Sequence, residues 1–266
     1  MAAKVLLRYG AVGEEVKLLQ RSLNEIEKLD IKPDGEFGKI TEEALRGFQQ
    51  RCRFPVNGFY TDIEAETIEP HIQRRFLRMS DIDISAPAYG LPVSTMKAFT
   101  EVESKGVGFL SSGDCVILFE RHKFYDALGR EKGSAFALET ANKYPSICSP
   151  TRGGYIGGQK EHDRLNLAAT ISESAAFLSA SWGLFQIMGF NYKDAGYASV
   201  ESYVEAMKES EKKQLDAVYN FIKNNPSLRT AIIQKNFNRM AELYNGKAYA
   251  EHKYHLRLAA ADAKYM

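Results

Sequence analysis

The 266-residue chain is poor in cysteine, in unbalanced charge and in long apolar runs. Its three cysteines, Cys52, Cys115 and Cys148, are scattered and odd in number. They cannot form a full disulfide framework and lack metal-ligand spacing, so they read as reduced thiols. Thirty-five Lys and Arg face 34 Asp and Glu, a formal charge of +1 that argues for no nucleic-acid or anionic-membrane partner. No apolar run approaches the roughly 18 residues that span a bilayer, so stable membrane insertion is not expected. The start, Met1-Ala2-Ala3-Lys4-Val5-Leu6-Leu7-Arg8, has neither the apolar core nor the cleavage site of a signal peptide. These absences predict a protein made and folded in the cytosol. Five histidines, His162, His252 and His255 among them, pair in no ligand spacing. No zinc or other metal is therefore expected, and no organic cofactor is implied. What is present, 44% hydrophobic and 26% charged residues, suits a globular core of one large or two unequal domains.

Residues 5–69 read as a small helical unit. Val16, Leu19, Leu23 and Ile26 fall at three- and four-residue spacings, the stripe of an amphipathic helix. Asp34-Gly35 supplies a turn, and Thr41 caps a second helix with Ala44, Leu45 and Phe48 on one face. Pro55 and Asn57-Gly58 turn again before a third helical stretch ends at Thr67-Ile68. Segments 31–41 and 55–67 look like two copies of one unit: a Gly turn, an aromatic (Phe37, Phe59), then a Thr (Thr41, Thr61). Leu7-Arg8, Gly10, Gly13, Val16, Leu19-Gln20, Leu23, Asp34-Gly35, Phe37-Gly38, Thr41, Ala44-Leu45 and Phe48-Gln49 resemble the three-helix peptidoglycan-binding domain carried by many wall hydrolases. The pattern departs after Asn57-Gly58, where Phe59-Tyr60 replaces the usual Gly of the second repeat.

Pro70, Pro87 and Pro92, with Arg74-Arg75 and Arg78 between them, predict a connecting helix and then an extended join over 70–92. Beyond it, helices are expected at 93–104, 113–128, 133–143, 159–178, 199–224, 226–236 and 237–244, with a last one from about 247. The Gly- and Pro-rich stretch 145–158 is the longest irregular piece and the place for a small hairpin.

Glycosidic cleavage needs a carboxylic acid that keeps its proton near neutral pH, which an apolar, partly buried setting provides. Met96, Phe99, Thr100 and Glu103 share one helical face, so Glu103 extends an apolar stripe at the helix's last turn. Lys97, Glu101 and Lys105 share another face, as a solvated charge ladder. Gly106 and Gly108 then end the helix. Glu103 reads as the acid, and Glu101 as a surface carboxylate or an accessory to it. In Ser181-Trp182-Gly183-Leu184-Phe185-Gln186, a helix of small residues (Ala168, Ala169, Ala175, Ala176, Ala180) delivers Gly183 and Gln186 into a turn. The Gln186 amide can bind sugar hydroxyls or place a water. Trp182, the single Trp, is either a sugar platform or core. Tyr244 can fix a buried carboxyl's rotamer and Asn245 can donate to a substrate carbonyl. Glu120, on an apolar helix with Val116, Ile117 and Phe119, is either a second carboxylate in the cleft or a structural partner of Arg121 or Arg164.

Together Glu103-Ser104, Gly183-Leu184-Phe185-Gln186-Ile187 and Tyr244-Asn245 resemble the lytic transglycosylase and goose-type lysozyme signature. Glu101-Val102-Glu103-Ser104, Leu118-Phe119-Glu120-Arg121-His122, Tyr155-Ile156-Gly157-Gly158 and Ser181 through Gly189 are more similar still to the N-acetylmuramidase domain of phage endolysins. The resemblance implies a mainly α protein in two parts: a three-helix peptidoglycan-binding domain (1–69) and a larger helical lysozyme-like domain (93–266) with at most a small β-hairpin. It further implies cleavage of the β-1,4 bond between N-acetylmuramic acid and N-acetylglucosamine. Glu103 would be the general acid and Glu101 a further catalytic candidate, with Gln186, Ser181, Tyr244, Asn245, Trp182 and Glu120 against the glycan. Bacterial peptidoglycan is the expected partner. The expected protein is a monomer that stays in the host cytoplasm until a holin-type lesion releases it. A lytic transglycosylase forming 1,6-anhydro ends remains the alternative, as does a non-catalytic wall-binding protein.

Overall fold

The computed structural model describes residues 3–103, 107–246 and 253–266, without the Asn245 side chain. The chain is mostly helical and divides into two compact units: Met1–Arg78 with Ser111–Asp114, and Met79–Leu110 with Cys115–Met266.

The first unit runs β1 (Val5–Leu7), α1 (Glu14–Glu27), α2 (Lys39–Cys52), β2 (Tyr60–Thr61) and α3 (Asp62–Arg75). The predicted stripe is its core: Val16, Leu19 and Leu23 of α1 are buried with Leu45 and Phe48 of α2 and Ile68 and Ile72 of α3. Strands β1 and β2 pair antiparallel, Leu7 opposite Tyr60. Thr61 opens α3 with a capping box, its hydroxyl accepting from Ile63 N–H while Glu64 Oε2 accepts from Thr61 N–H.

The duplication is present in a different register from the expected one. Gln20 accepts from Gly35 N–H and donates to Asp34 Oδ1, the Glu36 carbonyl and Thr41 Oγ1. Gln49 accepts from Gly58 N–H and donates to Asn57 Oδ1, the Phe59 carbonyl and Glu64 Oε1. The equivalent aromatics are thus Phe37 and Tyr60, both buried, whereas Phe59 is exposed. Thr41 corresponds to Glu64 and not to Thr61.

The second unit begins with α4 (Met79–Ala88) and α5 (Val93–Glu103). The expected extended join is therefore largely helical, with Pro87 tolerated in the last turn of α4. Next come β3 (Ile117–Phe119), α6 (Arg121–Lys132), α7 (Ser134–Lys143), α8 (Gln159–Ala169), α9 (Glu173–Leu178), β4 (Ala180–Trp182) and β5 (Ile187–Met188). The chain ends with α10 (Val200–Glu209), α11 (Glu211–Lys223), α12 (Pro226–Ile233), α13 (Phe237–Asn245) and α14 (Tyr254–Tyr265).

Three expected helices are shorter than their apolar periodicity suggested. Ser172 caps α9 by accepting from Ala175 N–H, which splits 159–178. Ser210, in an extended conformation, accepts from Lys213 N–H and splits 199–224. In 113–128 the branched and aromatic run Ile117–Phe119 joins a sheet in the order β3-β4-β5. The hairpin thus lies at 180–188, and 145–158 has no strand. Residues 247–252, within the expected last helix, lie outside the described residues. Cys52, Cys115 and Cys148 are thiols outside any disulfide, and burial pushes the Cys148 thiol up to about 11.

Candidate active site

Helix α5 buries Met96, Phe99 and Thr100 and leaves Glu103 half-buried at its end. Ser104–Gly106 lie outside the described residues. Glu101 faces the other way and is exposed. The expected ladder with Lys97 is absent, because Lys97 pairs with Asp83 at 2.7 Å. Lys105 lies outside the described residues. Glu101 instead accepts from Lys264 at 2.9 Å and from the Tyr265 hydroxyl of α14. Partial burial pushes its pKa up, but these two donors outweigh burial and hold the carboxyl below its ordinary value. A carboxylate so held is ionised at neutral pH and is a poor proton donor.

Phe99, one turn before Glu103, gathers the other motifs. Its ring meets Tyr244 edge-on at 4.8 Å and stacks on Phe185 at 6.3 Å. The Tyr244 hydroxyl donates to the Phe185 carbonyl at 2.7 Å. Burial, reinforced by the negative charge of Glu103, pushes the Tyr244 hydroxyl far above its usual pKa and keeps its proton on. The end of α5, the β4–β5 turn and the end of α13 therefore converge. The side chain of Asn245 lies outside the described residues.

Gln186 closes the β4–β5 turn with φ +52, a left-handed conformation that costs a non-glycine residue roughly 1–2 kcal/mol. Its own amide holds it there. Nε2 donates to the Gly183 carbonyl at 2.8 Å and the Val116 carbonyl at 3.3 Å, and Oε1 accepts from Ser181 Oγ at 2.7 Å. Both N–H groups are thus committed, and one lone pair on Oε1 is left for a ligand. Trp182 is core: it is buried, donates to the Phe177 carbonyl at 3.2 Å and packs edge-on against Phe177. It presents no face to a sugar.

Glu120 sits between strand and helix rather than within a helix, as the N-cap position of α6. Its predicted partners are engaged elsewhere: Arg164 pairs with Glu161 at 2.7 Å, and Arg121 donates to the Pro145 and Thr151 carbonyls. Glu120 is buried beside Tyr155, whose hydroxyl donates at 2.6 Å, with His122 Nδ1 at 3.2 Å and Arg152 at 3.8 Å.

Two residues not anticipated from sequence pin this region. Gln214 and Glu211 are almost wholly buried at the start of α11. Gln214 Oε1 accepts from Leu184 N–H at 2.6 Å, and Glu211 Oε1 accepts from Gly108 N–H at 2.6 Å. Gly183, at φ +71, lies so close that a Cβ there would meet Gln214 Cδ at 2.5 Å. One junction thus clamps both the turn bearing Gln186 and the bend at Gly108. The only sequence signal is polarity inside an apolar stripe, since Glu211 and Gln214 share a helical face with Leu215, Val218 and Ile222. Among the described residues no group of three or more His, Cys, Asp or Glu is arranged to hold a metal ion. No helix there is long and apolar enough to cross a membrane.

A helical domain with a half-buried helix-end glutamate beside a short antiparallel sheet, preceded by a three-helix wall-binding unit, is the build of a peptidoglycan hydrolase. Residues 92–266 match the N-acetylmuramidase family, and residues 12–62 match a putative peptidoglycan-binding domain. The chain belongs to the N-acetylmuramidase family. It is similar to the crystal structure of the Burkholderia AP3 phage endolysin, at 37% identity over 97% of this chain and 98% of that one, with a TM-score of 0.68. No curated protein matches the chain.

Proposed function

We propose that the protein hydrolyses the β-1,4 bond between N-acetylmuramic acid and N-acetylglucosamine, with Glu103 as the general acid. The observation that carries this reading is the convergence on Phe99 of the end of α5, the Gln186 turn and Tyr244. Glu103 protonates the leaving oxygen from the end of α5, one turn past Phe99 and within electrostatic reach of Tyr244. Tyr244 stays protonated and holds the turn through Phe185. Ser181 and the free lone pair of Gln186 Oε1 line the floor as acceptors for sugar hydroxyls or the acetamide N–H. Asn245 is assigned to the same cleft, and Glu120 to its far wall. Glu101 anchors α5 to α14 and takes no part in the chemistry.

Residues 1–69 serve as the wall-binding part, 70–92 as the connection and 93–266 as the catalytic part. The protein acts as a monomer that reaches the wall from the host cytoplasm through a holin-type lesion. The test is lysis of outer-membrane-stripped cells by wild type and Glu103→Gln. The variant keeps the shape of the side chain but has no proton to give. Turbidity loss is expected to slow by about 10²–10⁴-fold while binding to sacculi persists. Full activity in Glu103→Gln would dismiss the assignment. Mass spectrometry of the released fragments separates hydrolysis from transglycosylation, because a 1,6-anhydro end identifies the latter.

A further inference from the structure

The β3–β4–β5 sheet has two unlike faces. Ile117, Phe119, Ala180, Trp182 and Ile187 are buried on one. Leu118, Ser181 and Met188, which lie opposite one another in register, form the other, where Leu118 and Met188 are half-buried. Pairing continues one residue further, because Glu120 N–H donates to the Ser179 carbonyl at 2.9 Å. By strand alternation Glu120 therefore projects on the same face as Ser181. It lies four residues along from Val116, whose carbonyl holds Gln186, or about 13 Å of extended strand.

Arg152 spends its Nε–H on the Tyr155 hydroxyl at 3.0 Å and turns one Nη toward Glu120 at 3.8 Å, while its side chain is 76% exposed. Most of its guanidinium fork is thus open to solvent. Arg121 donates only to backbone carbonyls, and the Lys123 ammonium lies 5.7 Å over the Phe190 ring. One exposed guanidinium, that of Arg152, thus faces the buried Glu120 carboxylate, which also has His122 Nδ1 at 3.2 Å. Exposed apolar surface lies beside them: Tyr155 is 41%, Ile156 57% and Phe190 46% exposed.

The loop that carries Arg152 and Tyr155 has no regular structure, yet it is fastened throughout. Arg164 donates to the Ser146 carbonyl, and Arg121 to those of Pro145 and Thr151. The buried Glu161 accepts from Ile156 and Gly157 N–H. Gly154 lies so close to Arg121 that a Cβ would meet the guanidinium at 3.2 Å. A mere connection has no need of three charged side chains to fix its path. A preorganised recognition wall does, since fixing it beforehand lowers the ordering cost of binding.

We propose that Arg152, Tyr155 and Glu120 form a subsite for the carboxylate-bearing peptide arm on the muramic acid residues of the glycan. The proposal rests on the peptidoglycan-hydrolase reading and names what that reading leaves open. Neutral sugar rings give no reason for a guanidinium anchored at one edge and open to solvent at the other. A carboxylate does, and the planar guanidinium binds it in a bidentate pair. Glu120 and Tyr155 hold the fork in place, and Tyr155, Ile156 and Phe190 receive the apolar parts of the arm.

The test compares sacculi that retain their peptide arms with glycan strands stripped of them by an amidase. The quantity read is the ratio of kcat/KM on the two substrates for wild type, Arg152→Ala and Arg152→Lys. Wild type is expected to prefer the peptide-bearing strands. Arg152→Ala should lower that ratio about tenfold through KM, and Arg152→Lys should recover part of it. Raising the salt should erode the wild-type preference. A ratio that does not change in Arg152→Ala, or a wild type with no preference, overturns the proposal. A second readout, binding of a soluble peptide-bearing disaccharide to the Glu103→Gln protein, does not depend on turnover. If Arg152→Ala weakens that binding while neither substrate is cleaved by wild type, the hydrolase reading fails and the subsite stands.

Discussion

Gln49 in the first unit and Gln214 in the second are both almost wholly buried, and both give their amide to the backbone of a glycine-bearing turn. They differ in reach. Gln49 binds Asn57, Gly58, Phe59 and Glu64, all within 15 residues, and Gln20 repeats the arrangement around Gly35. Gln214 binds Leu184 N–H, 30 residues away, and its Nε2 lies 3.7 Å from Cys115 Sγ, 99 residues away. The first arrangement fixes a turn within one helix-turn-helix segment. The second draws distant segments to one place. A binding unit built from repeated local knots can keep one knot when the other is lost, whereas a junction assembled from remote segments has no spare.

The largest effect should therefore come from Gln214→Ala. It leaves the buried Leu184 N–H without its acceptor and opens a void beside Gly183. Each buried polar group left unpaired costs about 1–3 kcal/mol, so a loss of about 2–5 kcal/mol is expected. The measurement is urea unfolding of the full chain followed by tryptophan fluorescence, since the single Trp182 reports on the catalytic unit. Glycan cleavage should fall with it, because the turn carrying Gln186 loses its outer support. A variant as stable and active as wild type would remove the distinction between the two units.

A smaller effect is expected from Gln49→Ala and Gln20→Ala, about 1–3 kcal/mol each, confined to the first unit. Several of their partners are only part-buried, so water can replace some of the lost bonds. Sacculus binding should weaken while cleavage of soluble glycan fragments is retained. The comparison is sharpened if the two substitutions cost similar amounts, as two copies of one knot should. It is broken if either one unfolds the catalytic unit.

The same difference in reach explains what was legible in the sequence. The helices of the first unit and the Glu103 face of α5 followed from three- and four-residue spacings, because their determinants are local. The duplication was visible, but Phe59 and Tyr60 are adjacent aromatics, and only the Gln49 hydrogen bonds show that Tyr60 is the counterpart of Phe37. Val116, Ile117 and Phe119 form a short apolar run that fits a helix or a buried strand equally well. Strand β4 decides it, from more than 60 residues downstream. Glu120 was misplaced by the same ambiguity. Gln214 and Glu211 show in the sequence only as polar residues on an apolar face, since nothing near α11 reveals that Leu184 and Gly108 lie against it. Trp182 stood equally between sugar platform and core, and sheet pairing put it in the core.

The smallest effect separates the two glutamates of α5. Residues two apart on a helix of 3.6 residues per turn point about 200° apart, so Glu101 and Glu103 cannot both face the cleft while the helix lasts, and α5 lasts through Glu103. Glu101 is bound by Lys264 and Tyr265 on an exposed face, where such pairs contribute about 0.2–1 kcal/mol. Glu101→Gln should cost no more than that and leave glycan cleavage near wild type. The pH dependence gives a sharper mark. Because the folded carboxyl is held below its ordinary value of 4.5, its contribution is complete above that value. It is lost as the pH falls through the depressed folded value. Melting curves of wild type and Glu101→Gln should therefore differ slightly at pH 7 and converge in stronger acid. If instead the gap widens in acid, or if Glu101→Gln abolishes cleavage while Glu103→Gln retains it, the faces of α5 have been assigned the wrong way round and Glu101 is the acid.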